Sequence, residues 1–241
     1  MLHEELKSVK VDVQETYTLF ADLSYPDFEH ESVYLAIHGR NLIGDKIKTT
    51  DGGGIDESPG DLESHIEEYF QHDSTAEFVV LNGKAYTVGP QARANINRKL
   101  IDPELREMLS YKLPTYNPFS NIIFQALEIV AEVDRAINIT EELLSNPADH
   151  GRLSEVIPIA ATGVGAVEAP RGMLLHRYSF DEKGYCSSAD VTTPTSQNLR
   201  MIEECLRCFV EENLSLREDT LIIELERLIR AFDPCISCSA H

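Results

Sequence analysis

The chain has 241 residues, of which 42% are hydrophobic and 26% charged, with a formal charge of −20. That length supports one large domain or two small ones around a real core, and the acidic excess argues against a nucleic-acid or anionic-membrane surface. No membrane span is expected, because the longest weakly polar stretch, Val156 to Val167, is broken by Pro158, Gly163 and Gly165; the acidic start, Met-Leu-His-Glu-Glu-Leu-Lys, is unlike a secretory signal, so the expected setting is cytoplasmic.

Residues 1–60 read as mixed structure, with a short strand at Tyr34 to His38 and a loop at Asp51-Gly52-Gly53-Gly54. The triple glycine is not read as a phosphate cradle, since Ile-Asp-Glu-Ser-Pro follows it where a Lys and a helix would be needed. Asp61 to His72 has the period of a short amphipathic helix. The apolar runs Glu77 to Leu81 and Ala85 to Val88 flank Asn82-Gly83-Lys84, which predicts a hairpin.

From Asn117 to Leu144, apolar residues at 122, 123, 127, 130, 133, 137 and 144 recur at helical spacing, with Pro118 near the start and Pro147 beyond the end. This predicts a long central helix whose stripe serves packing. After a glycine-rich connection around Gly163 and Gly165, Met173 to Phe180 and Tyr185 to Thr192 alternate on either side of Asp181-Glu182-Lys183-Gly184, a second hairpin. Two helices follow, Ser196 to Glu212 and Arg217 to Arg230.

All five cysteines lie at or after Cys186, an odd count and distribution for a disulfide framework. Cys235 and Cys238 form a Cys-x-x-Cys, which puts two thiolates on one tight turn as a soft or borderline metal requires. Zinc would need two more ligands. Cys205 and Cys208 are available on paper, yet both fall within the helical stretch Met201 to Val210. Haem attachment would need His directly after the second Cys, where Ser239 stands, and a thioredoxin-like pair lies between a strand and a helix near the start of its fold. The expected fold is α+β: a predominantly helical core with a long central helix, peripheral β-hairpins and a metal-binding tail. Its regions would be 1–90, mixed and peripheral, and 91–241, the core with the hairpin near 173–192 and the C-terminal metal motif.

The run Asp233-Pro234-Cys235-Ile236-Ser237-Cys238-Ser239-Ala240-His241 resembles the C-terminal signature of nickel-iron hydrogenase large subunits, including the His after which their maturation protease cuts. Glu168-Ala169-Pro170-Arg171-Gly172, Pro194-Thr195-Ser196-Gln197-Asn198 and Val88-Gly89-Pro90-Gln91-Ala92-Arg93 resemble further segments of that family, in the same order. The likeness runs from about Glu31 onward and is strongest to the soluble branch that couples hydrogen to a nicotinamide or deazaflavin acceptor.

The resemblance implies that Cys235 is a terminal nickel thiolate and Cys238 a thiolate bridging nickel and iron. Arg171 would hang over the open metal position, with Asp233 orienting it; taken alone, Arg171 reads as a surface ion pair and Asp233 as a turn residue. Pro170 and Thr195 would line the pocket of the iron's cyanide and carbon monoxide. His241, with the backbone carbonyl of Val191, would bind magnesium. Glu168 and His176 have two readings, as neighbours of the site or as buried groups that satisfy each other's polarity.

The family holds nickel with four cysteines, and the first pair has no counterpart here. The resemblance therefore implies a split subunit, with an N-terminal half on a separate chain carrying the other Cys-x-x-Cys. It also implies an iron-sulfur small subunit and NAD(P)- or deazaflavin-linked electron-transfer subunits, since no cluster-binding cysteine pattern occurs. The expected activity is reversible heterolysis of hydrogen. Competing expectations are a non-catalytic assembly subunit of hydrogenase descent and a zinc-binding structural module.

Overall fold

The computed structural model describes residues 2–50, 58–109, 112–145 and 157–240. The Asp51–Gly54 loop, Pro147 and His241 lie outside the described residues.

The chain opens with α1 (Leu2–Ala21). Short of its last residue, Ala21, its half-buried and buried residues fall at His3, Leu6, Lys10, Val13, Tyr17 and Phe20, a three-four spacing that lays one stripe against another helix. Polar residues occupy two of those six positions, so the period is weak in hydrophobicity alone. Both find partners on the facing helix: His3 Nδ1 bonds Thr140 Oγ1 at 3.0 Å, and Lys10 Nζ lies 2.6 Å from Asp134 Oδ1.

Next come β1 (Val33–Ile37), β2 (Ile43–Gly44), β3 (Ile47–Thr49), α2 (Pro59–Glu63), β4 (Ile66–Phe70), β5 (Glu77–Leu81) and β6 (Tyr86–Thr87). Strand β1 matches the expectation for Tyr34 to His38 within a residue. The helix expected over Asp61 to His72 is instead one short turn, α2, followed by β4. Ser58 caps that turn through its side chain and Asp61 answers it in a capping box; beyond it, Ile66 pairs with Leu81 and Tyr69 with Phe78, so strand pairing overrides the helical period.

The hairpin expected over 77–88 starts and then stops. Asn82 and Gly83 both take positive φ, the backbone a tight two-residue turn requires, and Leu81 and Lys84 form a single bridge. The chain then turns away, and β6 joins β1 in parallel, Val33 opposite Tyr86. Tyr86, fully buried there, donates its hydroxyl to Gln197 Oε1 at 3.2 Å, which satisfies its polar end.

After α3 (Pro90–Ile96) and α4 (Pro103–Met108), a 3-10 turn at Pro118–Ser120 leads into α5 (Asn121–Ser145), the long central helix. Asn117 caps the turn by accepting the Phe119 N–H. Ile123, Leu127 and Val130 of α5 pack on Tyr17, so α1 and α5 form one helical layer.

The region around Gly163 and Gly165, expected as a connection, is the strand β7 (Ala161–Ala169). Its small residues read as a loop by composition, but they pair along their full length with β8 (Gly172–Phe180), which pairs in turn with β9 (Cys186–Thr192). The expected hairpin is therefore the outer part of an antiparallel sheet ordered β2-β7-β8-β9. Helices α6 (Pro194–Glu212) and α7 (Glu218–Ala231) follow close to their expected spans, and a last turn, α8 (Ile236–Ser239), carries the cysteine pair. The fold is α+β.

Two cores frame this tail. Leu35, Val79, Tyr86 and Met173 join the sheets in one. In the other, Phe209 packs edge to face with Phe28 and with Phe119, ring centroids 5.2 Å and 5.9 Å apart, in one cluster with Met201 of α6 and Leu228 of α7. No helix among the described residues is long and apolar enough to cross a membrane.

Candidate metal centre

Cys235 stands at the N-terminal boundary of α8 and Cys238 within it, their Cα atoms 5.3 Å apart, and the structure closes the pair as a disulfide. The Cys238 N–H donates to the Cys235 carbonyl at 3.0 Å, so one turn of backbone sets the spacing. Ser239 is buried and bonds back to the Ile236 carbonyl, while Ile236 beside it is 69% exposed.

The β7–β8 turn arrives at the same place. Arg171 Nε donates to the Asp233 carbonyl at 2.8 Å, and its Nη2 lies 3.2 Å from Asp233 Oδ1. Asp233 holds a left-handed backbone, φ 50°, which aspartate tolerates better than most residues and which directs both acceptors to one guanidinium. Gln125 Nε2, from α5, donates to Asp233 Oδ2 at 3.2 Å, so each carboxylate oxygen has a partner. Nothing in the sequence around Gln125 distinguished it from the packing of its helix.

The turn carrying Arg171 depends on two glycines. Gly172 has φ 142°, and a Cβ there would stand 2.5 Å from Val88 Cγ2 and 3.0 Å from the Gly89 nitrogen. Gly89 has φ 114°, and its Cβ would meet the Arg171 carbonyl oxygen at 2.8 Å. The two backbones touch because both residues lack a side chain.

Thr195, in the first turn of α6, is buried, and its Oγ1 accepts the Cys235 N–H at 3.0 Å. Four of the expected residues thus form two hydrogen-bonded pairs, Arg171 with Asp233 and Thr195 with Cys235, which the chain links through Pro234; Cys238 is attached through the cysteine pair. Pro170 is exposed on the turn, and its carbonyl accepts from Arg93 Nη2 at 3.2 Å. Val191 pairs with His176 across β9 and β8, whereas His241, its expected companion at magnesium, is outside the described residues.

Glu168 is buried with one oxygen on the Ile37 N–H, at 2.8 Å, and the other on Arg93, at 2.6 Å. Burial pushes its carboxyl up, and the charge of Glu128 adds to that, against the opposing pull of Arg93 and the Ile37 N–H. Burial opposes the charge of Arg93, but Glu128 and Glu168 outweigh it and hold the guanidinium protonated. His176 bonds to the Tyr178 hydroxyl at 3.0 Å, on the sheet.

The donor set fits half of a metal centre. Two cysteines on one turn are adjacent ligands once reduced to thiolates, but no group of three or more His, Cys, Asp or Glu among the described residues could hold a metal by itself. The remaining cysteines do not complete it. Cys205 is buried in the aromatic core, where burial first, then Cys208 and Glu204, push its thiol up to about 12. Cys186 is exposed at the start of β9, with its Sγ 3.2 Å from the Ser188 carbonyl oxygen.

The nickel-dependent hydrogenase family model matches residues 80–241. Over 98% of the chain, the sequence is 34% identical to the sulfhydrogenase 1 subunit alpha of Pyrococcus furiosus, of which it covers 56%. It is also 34% identical, over 64% of the chain, to the NAD-reducing hydrogenase HoxS subunit beta of Cupriavidus necator, covering 33% of that protein. Among solved structures, an NAD+-reducing nickel-iron hydrogenase in the H2-reduced state superposes on the whole chain with a TM-score of 0.79 at 20% identity; 59% of that chain is covered. The chain therefore spans between a third and about three fifths of the length of these relatives.

Proposed function

Because the chain belongs to the nickel-dependent hydrogenase family, we propose that it forms part of a hydrogenase catalytic subunit and supplies one half of a nickel-iron centre. The observation that carries this reading is the convergence of Arg171, Asp233, Thr195 and Cys235, drawn from three separate segments, on one turn with two cysteines. Reduced Cys235 and Cys238 would be two of the nickel thiolates, with Cys238 shared with iron. The other donors would come from polypeptide outside these 241 residues, by the split-subunit reading a separate chain with its own Cys-x-x-Cys.

When bound, a nickel-iron centre with cyanide and carbon monoxide on iron supplies the redox chemistry that interconverts hydrogen with two protons and two electrons. The chain's own residues set the surroundings. Arg171 presents a guanidinium whose orientation is fixed by the Asp233 carbonyl and carboxylate, placed to polarise a ligand at the open side. Thr195 fixes the backbone of Cys235, and Pro170 adds an apolar wall at the Arg171 turn. Val191 and His241 are proposed as magnesium ligands. Electrons would leave through an iron-sulfur subunit and NAD(P)- or deazaflavin-linked partners. A cytoplasmic setting suits cysteines that must act as thiolates, because thiols stay reduced there.

The test is metal analysis, infrared spectroscopy and hydrogen-dependent dye reduction on the native complex. Nickel and iron, with bands for metal-bound cyanide and carbon monoxide, are expected. Cys235→Ser and Cys238→Ser should abolish nickel retention. Arg171→Lys should keep the metal and slow turnover by a factor on the order of 100 or more, since one ammonium cannot reproduce the forked contact. Zinc without nickel, or full activity in the Lys variant, would overturn the corresponding part of the proposal.

A further inference from the structure

Arg93 uses its entire donor set next to the proposed catalytic arginine. Nε and one Nη2 proton go to the two oxygens of Glu128, at 2.6 and 2.7 Å. One Nη1 proton goes to Glu168 Oε2 at 2.6 Å and the other to the Ala169 carbonyl at 3.0 Å. The second Nη2 proton goes to the Pro170 carbonyl at 3.2 Å. A guanidinium has five N–H donors in a fixed plane, so none is left over.

The partners come from three places. Glu128 is on α5, Glu168 ends β7 while holding the Ile37 N–H of β1, and the two carbonyls belong to the residues immediately before Arg171. The opposite side of the same turn is pressed on the Gly89 backbone. Arg171 itself is 43% exposed, with Asp233 as its ion-pair partner. The direction of its side chain therefore depends on how firmly its backbone is held.

We propose that Arg93 is the positioning residue of the Arg171 turn, setting where the Arg171 guanidinium sits over the metal pocket. This rests on the function proposed above. Lysine at 93 would keep a positive charge beside the two carboxylates but has three donors on one nitrogen, so it cannot hold Glu128, Glu168 and both carbonyls together. Misplacing a polarising group by about 1 Å costs on the order of 100-fold in rate while leaving binding groups intact.

The experiment compares wild type, Arg93→Lys, Arg171→Lys and the double variant as the assembled complex, with Glu128→Gln as a milder disturbance of the same clamp. Amide hydrogen exchange is read on the peptide spanning 167–173, with an α6 peptide as control, alongside nickel content, kcat and KM for hydrogen. Expected for Arg93→Lys are faster exchange in the turn alone, unchanged nickel and KM, and kcat lower by about 10- to 100-fold. In the Arg171→Lys background the same change should cost little, because its effect passes through Arg171. Glu128→Gln should move exchange and kcat in the same direction by less.

Unchanged exchange in the turn for both clamp variants, or losses of kcat that multiply in the double variant, would overturn the proposal. Loss of folding in Arg93→Lys leaves the decision to Glu128→Gln. If the wild-type complex holds no nickel, the proposed function fails while the exchange comparison still decides whether Arg93 holds the turn.

Discussion

The backbone N–H of Cys235 donates to the hydroxyl oxygen of Thr195 at 3.0 Å, across 40 residues of sequence. The bond joins the first turn of α6 to the cysteine turn, with the Thr195 oxygen as acceptor. Thr195→Val has nearly the same shape but no acceptor, and leaves a half-buried donor without its partner at a cost of about 1 kcal/mol. That cost sets an upper limit of roughly fivefold on the loss of nickel affinity. Nickel per chain after dialysis against a chelator should fall in the Val variant and recover in Thr195→Ser; equal retention in all three would remove this role.

Gly172→Ala is expected to destabilise the fold far more than an ordinary surface change. Its φ of 142° strains any side chain, and the added Cβ would stand 2.5 Å from Val88 Cγ2 and 3.0 Å from the Gly89 nitrogen. Strain and overpacking together cost about 2–5 kcal/mol. Urea unfolding should reveal that loss, and Val88→Ala in the same chain should recover only part of it, because the backbone strain and the Gly89 contact remain. A midpoint unchanged from wild type would contradict the close approach.

Cys205 should be chemically silent in the folded chain. With its thiol pushed up to about 12 by burial, then by Cys208 and Glu204, only about 1 in 10,000 molecules carries the thiolate at pH 8. Cys186 is exposed. Iodoacetamide at pH 8 should label Cys186 readily and Cys205 only after denaturant is added, as read by peptide mass spectrometry. Raising the pH increases the thiolate fraction, so any residual native labelling of Cys205 should rise with pH. Labelling of Cys205 at the rate of Cys186 would place it outside the core.

What could be read directly from the residues was local. The Cys-x-x-Cys turn, the long apolar stripe of α5, the span of α6 and the alternation of β8 and β9 each rest on neighbours a few residues apart. The Asn82-Gly83 turn formed as its residues require, yet the strands beside it chose other partners. Strand β4 was hidden by a helical period, β7 by its glycines, and α1 by the polar residues His3 and Lys10 in its inward stripe.

The sequence by itself determined the chemistry available: two thiolates on a turn, an arginine before a glycine, and a threonine opening a helix. Only the tertiary structure decided which groups serve one another. The five bonds of Arg93 end on α5, β7 and the turn that follows it, and the carboxylate of Asp233 divides between Arg171 and Gln125. Such choices are made by non-local packing, because a buried donor is satisfied by whichever acceptor the fold brings within about 3 Å, and no local pattern along the chain records which one that will be.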